Sequence, residues 1–152
     1  MTPAVYRIET AHTDSGDIPA WDTYPAKYEF FMPLTAKKAG LLLRSLEFRV
    51  KGYVPGTMRT VLRKYGSTTA LADKFTDIVR GYNDVVLDMG SIALEKGVEY
   101  QLYFAASNNF YPPSVQPSWV AANDCIDIAH GSTYYGDNIT LIFSGTVVLQ
   151  ET

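Results

Sequence analysis

The chain has 152 residues, 47% of them hydrophobic and 19% charged, with a net charge of −3. That length suits one domain, 1–152, able to bury roughly 70% of the surface its unfolded form exposes without help from a metal or disulfide, and the composition lies outside the disordered class. The negative balance and a pI near 5.3 exclude a general nucleic-acid binder, which needs a basic face, and no stretch approaches the ~20 apolar residues of a membrane span.

Strands are marked by two-residue alternation and by β-branched and aromatic content. In chain order they are expected at 5–9, 28–32, 46–51, 59–65, 84–89, 98–104 and 140–149, the last broken at Ser144 and Gly145. In LEFRVK the alternation is unbroken, so Leu46, Phe48 and Val50 face a core and the charges face water. VEYQLYF repeats the device, with Val98, Tyr100, Leu102 and Phe104 on one face. Residues 67–79 fit either a short helix, with Leu71, Phe75, Ile78 and Val79 at helical spacing behind a cap at Ser67 or Thr68, or an extended strand. Turn-forming residues fall between the runs at 52–56 (GYVPG), 66–67, 81–84 (GYND), 95–97 (EKG) and 136–138. Seven or eight strands in this rhythm define an all-β, antiparallel β-sandwich.

The ordered phrases FFMPL (30–34), LEFRV (46–50), GTMRTVL (56–62), ALADKF (70–75), GYNDVVL (81–87), IAL (92–94) and KGVEYQLYF (96–104) go further. Together they resemble the jelly-roll modules found beside glycan-active enzymes and in phage tail or surface proteins, where a short x-L-A strand and an L-x-x-G-x-x-Y hairpin recur. The resemblance covers residues 28–105 and implies a jelly-roll sandwich that binds sugars or assembles surfaces and does no chemistry. In the hairpin Leu94 closes a strand, Gly97 accepts the positive φ of the turn, and Tyr100 re-enters the core with its hydroxyl near an edge where it finds a partner.

Catalytic constellations are weak. His130, Gly131 and Ser132 lack a nucleophile elbow, and neighbours in a strand point to opposite faces, so no triad is expected there. The aspartates sit in turn-like settings that suit backbone hydrogen bonding better than glycosidase chemistry. Two histidines and one cysteine match no zinc spacing. Cys125 excludes an intrachain disulfide, and its acidic neighbours Asp124 and Asp127 oppose a second negative charge, so a buried, inert thiol is expected. A structural calcium is the one cofactor considered, with Asp14, Asp17, Asp124 and Asp127 as its oxygen donors, against ordinary Asx turns. No enzyme is expected.

The last third holds no Lys or Arg after Lys96 and is rich in aromatics. Within it residues 108–119 (NNFYPPSVQPSW) read as a loop, because Pro112 and Pro113 donate no hydrogen bond and fix φ. Aromatic planes stack on the C–H faces of sugars while amides and carboxylates bind the hydroxyls, which makes Asn108, Asn109, Phe110, Tyr111, Trp119, Asp124, Tyr134 and Tyr135 the glycan-binding candidates. A lid folded onto the core and a subunit interface are the rival readings of the same residues.

The amino terminus MTPAVYRIET lacks a basic region followed by an apolar run, so no secretory signal is expected and the protein either works without Sec export or was cut from a larger one. The function expected is a non-catalytic virion surface protein of phage decoration, tail-fibre or receptor-binding type. It would act on the virion surface or outside cells, with other copies of itself, other virion proteins and host glycans as partners. The alternative is an accessory carbohydrate-binding module of a secreted polysaccharide-degrading enzyme. Trp119→Ala separates the three readings of the aromatic segment: thermal melting collapses for a core lid, glycan retention alone is lost for a binding platform, and native mass changes for an interface.

Overall fold

The computed structural model describes residues 3–9, 29–52, 54–106, 110–111, 114–115, 123–128, 132–133, 142–143 and 145–152. Among these there is no helix, and thirteen strands follow one another. Eight are long: β1 (Val5–Glu9), β2 (Glu29–Ala36), β3 (Leu41–Gly52), β4 (Gly56–Lys64), β5 (Ala72–Ile78), β6 (Gly81–Leu94), β7 (Glu99–Ala106) and β13 (Thr146–Glu151). The rest have two or three residues: β8 (Phe110–Tyr111), β9 (Ser114–Val115), β10 (Ile126–Ile128), β11 (Ser132–Thr133) and β12 (Ile142–Phe143).

The long strands pair as one antiparallel ribbon folded back on itself, β1 with β13, β2 with β7, β3 with β6 and β4 with β5. Winding the ribbon brings β13 against β3 and β7 against β4. Two sheets result, one ordered β1-β13-β3-β6 with β8 beside β3, the other β10-β2-β7-β4-β5 with β11 beside β2, while β9 and β12 pair apart. This strand order is that of a jelly roll, and the chain is a jelly-roll β-sandwich module.

Alternation fills the space between the sheets. From the first sheet come Leu41, Leu43, Leu46, Phe48 and Val50 of β3, Val85, Leu87 and Met89 of β6, and Val147 and Leu149 of β13, all buried. The second contributes Met32 and Leu34 of β2, Met58 and Leu62 of β4, and Tyr100, Leu102 and Phe104 of β7. Phe48 meets Phe104 edge to face, ring centroids 5.4 Å apart, so an aromatic pair links the layers. The inner faces expected for LEFRVK and VEYQLYF are the observed ones. On β3 the phase changes after Leu43, because the register against both neighbours skips Arg44. That bulge is why Leu41 and Leu43 share the inner face with Leu46, Phe48 and Val50.

The hairpin read from the resemblance is also present. Leu94 ends β6, Gly97 has φ of 77°, and the Tyr100 hydroxyl accepts a hydrogen bond of 2.7 Å from the Glu95 amide. Gly52 is required by close approach, since a Cβ there would lie 2.3 Å from the Val79 carbonyl oxygen. Thr60 faces the core, 1% exposed, and its Oγ1 has no hydrogen-bond partner.

Three expectations are corrected. The short helix considered for 67–79 is not formed: 72–78 is β5, paired with β4 from Ala72–Leu62 to Ile78–Gly56, and Phe75 is 68% exposed where a helix stripe would bury it. Ser67 closes a local turn by accepting from the Thr69 amide rather than capping a helix. The stretch 81–84 opens β6, and the turn lies just before it, fastened by Asn83, whose side chain bonds the Val79 amide at 2.9 Å and the Val79 and Gly81 carbonyls at 3.0 Å. The segment 108–119 is not wholly loop, since β8 and β9 lie within it, ending at Tyr111 and starting at Ser114.

Thr60→Val removes an orphan hydroxyl while keeping the branched shape, and is expected to raise stability by about 1 kcal/mol. The urea midpoint should move up at unchanged slope, and a midpoint that stays put would mean the hydroxyl has a partner in solution. Tyr100→Phe strips the Glu95 amide of its acceptor and should lower the same midpoint by an equivalent of about 1 kcal/mol.

Candidate functional site: a groove on the outer face of the second sheet

The residues of β2, β7, β4 and β5 that alternate away from the core build an outward surface with an unusual content. Register aligns Phe31 of β2 with Tyr103 of β7, Tyr103 with Val61 of β4, and Val61 with Asp73 of β5. Along β4 this row is flanked by Arg59, opposite Phe75, and by Arg63, opposite Gln101. The β4–β5 connection supplies a wall through Thr68 and Ala70, enclosing with Phe31, Tyr103, Arg59, Val61 and Arg63 a groove of about 310 Å³. Val61 is its floor, only 6% exposed although it lies on the outer face.

The two rings sit with centroids 5.1 Å apart, tilted by 48°. The Arg63 guanidinium carbon stands over both, 5.7 Å from the Phe31 centroid and 5.9 Å from that of Tyr103, within the range of cation–π attraction. Its Nε and Nη2 both donate to Gln101 Oε1, at 3.2 and 3.1 Å. Arg59 is held differently, with Nε and Nη2 bonding the two carboxylate oxygens of Asp73 at 2.8 and 2.7 Å and its guanidinium carbon 5.6 Å from the Phe75 centroid. The hydrogen bond from Arg59 keeps the Asp73 carboxyl below its ordinary value, so this pair remains ionised. The surface thus offers apolar ring and valine contacts, a hydroxyl, and planar donors in one place.

None of these residues is among the candidates read from the sequence. Asn108, Asn109, Trp119, Tyr134, Tyr135, Asp14 and Asp17 lie outside the described residues. Phe110 and Tyr111 form β8, opposite Gly52 and Lys51 in the first sheet, away from the groove. Asp124 is exposed beside Asn123, whose Oδ1 accepts from the Cys125 and Ile126 amides at 2.8 Å, an Asx turn. Asp127 in β10 has the Lys37 ammonium at 4.0 Å, a cation where the calcium reading would put another, and Lys37 also donates to the Asn123 carbonyl at 2.7 Å. Among the described residues no three carboxylate, thiol or imidazole groups gather as a metal would need. The Cys125 thiol is buried, as expected. Ser132 of β11 pairs with Phe31 of β2 at the edge of the groove.

The missed signal was present in the alternation itself. Tyr103 falls on the water-facing side of VEYQLYF, Phe31 alternates with Met32 of FFMPL, and Arg59, Val61 and Arg63 recur every second residue of RTVLRKY. Large aromatics on the wet face of a strand are the informative residues.

No known family model matches the chain, and no curated protein is significantly similar to it. Among solved structures it is similar to the cysteine protease and lectin-like domains of Cwp84, a surface-layer-associated protein of Clostridium difficile, with 13% identity and a TM-score of 0.49, over 81% of this chain and 32% of that one. It is also similar to a structure of infectious bursal disease virus, Gx strain, with 14% identity and a TM-score of 0.42, over 98% of this chain and 33% of that one. The chain thus spans about a third of each. At such scores neither likeness bears on function, and the class is defined by the strand order: a β-sandwich module of jelly-roll type.

Proposed function

We propose that this chain is a non-catalytic binding module that takes a carbohydrate in the groove on the outer face of the second sheet. One observation carries the reading: Phe31 and Tyr103, with Val61 beneath, are aromatic and apolar side chains on the outer face of the sheet, in a groove also lined by Arg59, Arg63 and Thr68. Sugar rings need that combination, an apolar surface for C–H faces and fixed polar groups for hydroxyls. The rings stand on paired strands, so little order has to be created when a ligand arrives.

The setting that fits is the surface of a virus particle, of phage decoration, tail-fibre or receptor-binding type, where copies of the chain assemble and the groove meets host glycans. Jelly rolls serve both as capsid and as lectin domains, which supports pairing the two roles in one module. An accessory module of a polysaccharide-degrading enzyme uses the same groove without self-assembly, and native mass distinguishes them.

Calorimetry of the intact protein against a panel of purified oligosaccharides tests the binding. At least one should bind, and Tyr103→Ala should weaken it about tenfold while lowering the melting temperature by only about 3 °C. Failure of every saccharide to bind, or binding indifferent to Tyr103, refutes the assignment.

A further inference from the structure

We infer that the ligand of this groove is an acidic saccharide of the hexuronate class, with Arg63 as the residue that binds its carboxylate; this rests on the carbohydrate reading given above. The two arginines of the groove differ in what compensates them. Arg59 has both oxygens of a carboxylate, those of Asp73, so its charge is already met. Arg63 is bonded to the neutral carbonyl oxygen of the Gln101 side chain, and among the described residues no carboxylate lies within ion-pairing distance of it. Among the described residues that line the groove, two guanidinium charges set against the one carboxylate bonded to Arg59 leave one positive charge. A monoanion balances that charge, whereas a phosphate dianion would leave a second negative charge near Asp73 uncompensated.

Geometry agrees with charge. A guanidinium has five N–H donors in a fixed fork, and Gln101 takes one from Nε and one from Nη2, leaving three directed elsewhere. Such a fork matches the two oxygens of a carboxylate. Gln101 and the two rings act as positioning residues, holding the guanidinium carbon 5.7 Å from one ring centroid and 5.9 Å from the other. That guanidinium also occupies space over both rings, which reduces the stacking area open to a neutral sugar and replaces it with charged donors. In a hexuronate the carboxylate lies beside the sugar ring, so the C–H face can rest on the edges of the Phe31 and Tyr103 rings while the carboxylate meets Arg63 and a hydroxyl meets Thr68.

The test is titration calorimetry of the intact protein with oligogalacturonate and with its fully methyl-esterified form, at low and high salt, and with 3′-sialyllactose as a third probe. The free acid should bind about tenfold more tightly than the ester, and salt should weaken only the acid. Arg63→Gln should erase the difference between acid and ester, and Arg63→Lys should restore part of it. Equal affinity for acid and ester, or an Arg63→Gln protein that still prefers the acid, overturns the inference but leaves the carbohydrate reading standing if the shared binding depends on Tyr103. Tighter binding of 3′-sialyllactose than of oligogalacturonate overturns the hexuronate assignment, and no binding of any saccharide removes both readings.

Discussion

The register of β7 holds the molecule and its groove together. The strand is hydrogen-bonded on both sides, to β2 and to β4, and its alternate residues serve opposite ends. Tyr100, Leu102 and Phe104 are buried, while Gln101 and Tyr103 stand on the outer face with Arg63 and Phe31. A slip of one residue would drive Gln101 and Tyr103 into the core and leave Leu102 and Phe104 in water. The Phe48–Phe104 contact from the other sheet and the Tyr100–Glu95 hydrogen bond at the strand's start both resist that slip. The core therefore fixes the spacing of the outward-facing side chains that line the groove, and the groove needs no separate scaffold.

Charged groups elsewhere on the surface follow a simpler pattern. Arg7 of β1 reaches across β13 to Glu47 of β3, Arg49 pairs with Asp84 on the adjacent β6, and Lys64 pairs with Glu95, all at the surface. Exposed pairs of this kind contribute about 0–1 kcal/mol each and favour one strand register over its neighbours more than they stabilise the fold. The hydrogen bond from Arg49 holds the Asp84 carboxyl below its ordinary value, as that from Arg59 does for Asp73. Arg63 departs from this pattern because its partner is an amide. A guanidinium held by a neutral acceptor and two aromatic rings, with no carboxylate paired to it among the described residues, is on the hexuronate reading the physical reason for the groove to discriminate by charge.

Much of this architecture was legible because alternation is local. The range 5–9 is β1 as read, Gly145 lies between β12 and β13, and the Leu94–Gly97–Tyr100 hairpin is recognisable from three residues within a span of seven. The Arg44 bulge, β5 and the groove were not, because each depends on partners distant in sequence. β5 is extended because β4 offers seven pairing partners, which outweighs a helical spacing of Leu71, Phe75 and Ile78. Phe31, Arg63 and Tyr103 come from strands far apart in the chain and meet only after the ribbon is wound. Composition drew attention instead to 108–119, where aromatics and prolines are dense, although two of those aromatics open a strand beside β3. Density in sequence is a poor guide to a site made by a sheet, which gathers one residue from each of several strands.

The groove divides into a fixed part and an adjustable one. Phe31, Val61, Tyr103 and both arginines stand on strands, those of β4 and β7 paired along both edges, so their positions change only if the sheet does. Thr68 and Ala70 lie on the β4–β5 connection, outside any strand, tied down by the Ser67–Thr69 turn and by the Leu71 amide, which donates to the Leu62 carbonyl at 2.7 Å. Substitution or lengthening of that wall reshapes one side of the groove while leaving the rings and the guanidinium where they are. On the carbohydrate reading, charge selection would therefore reside in the rigid sheet, whereas selection among saccharides of the same charge would reside in the short β4–β5 connection.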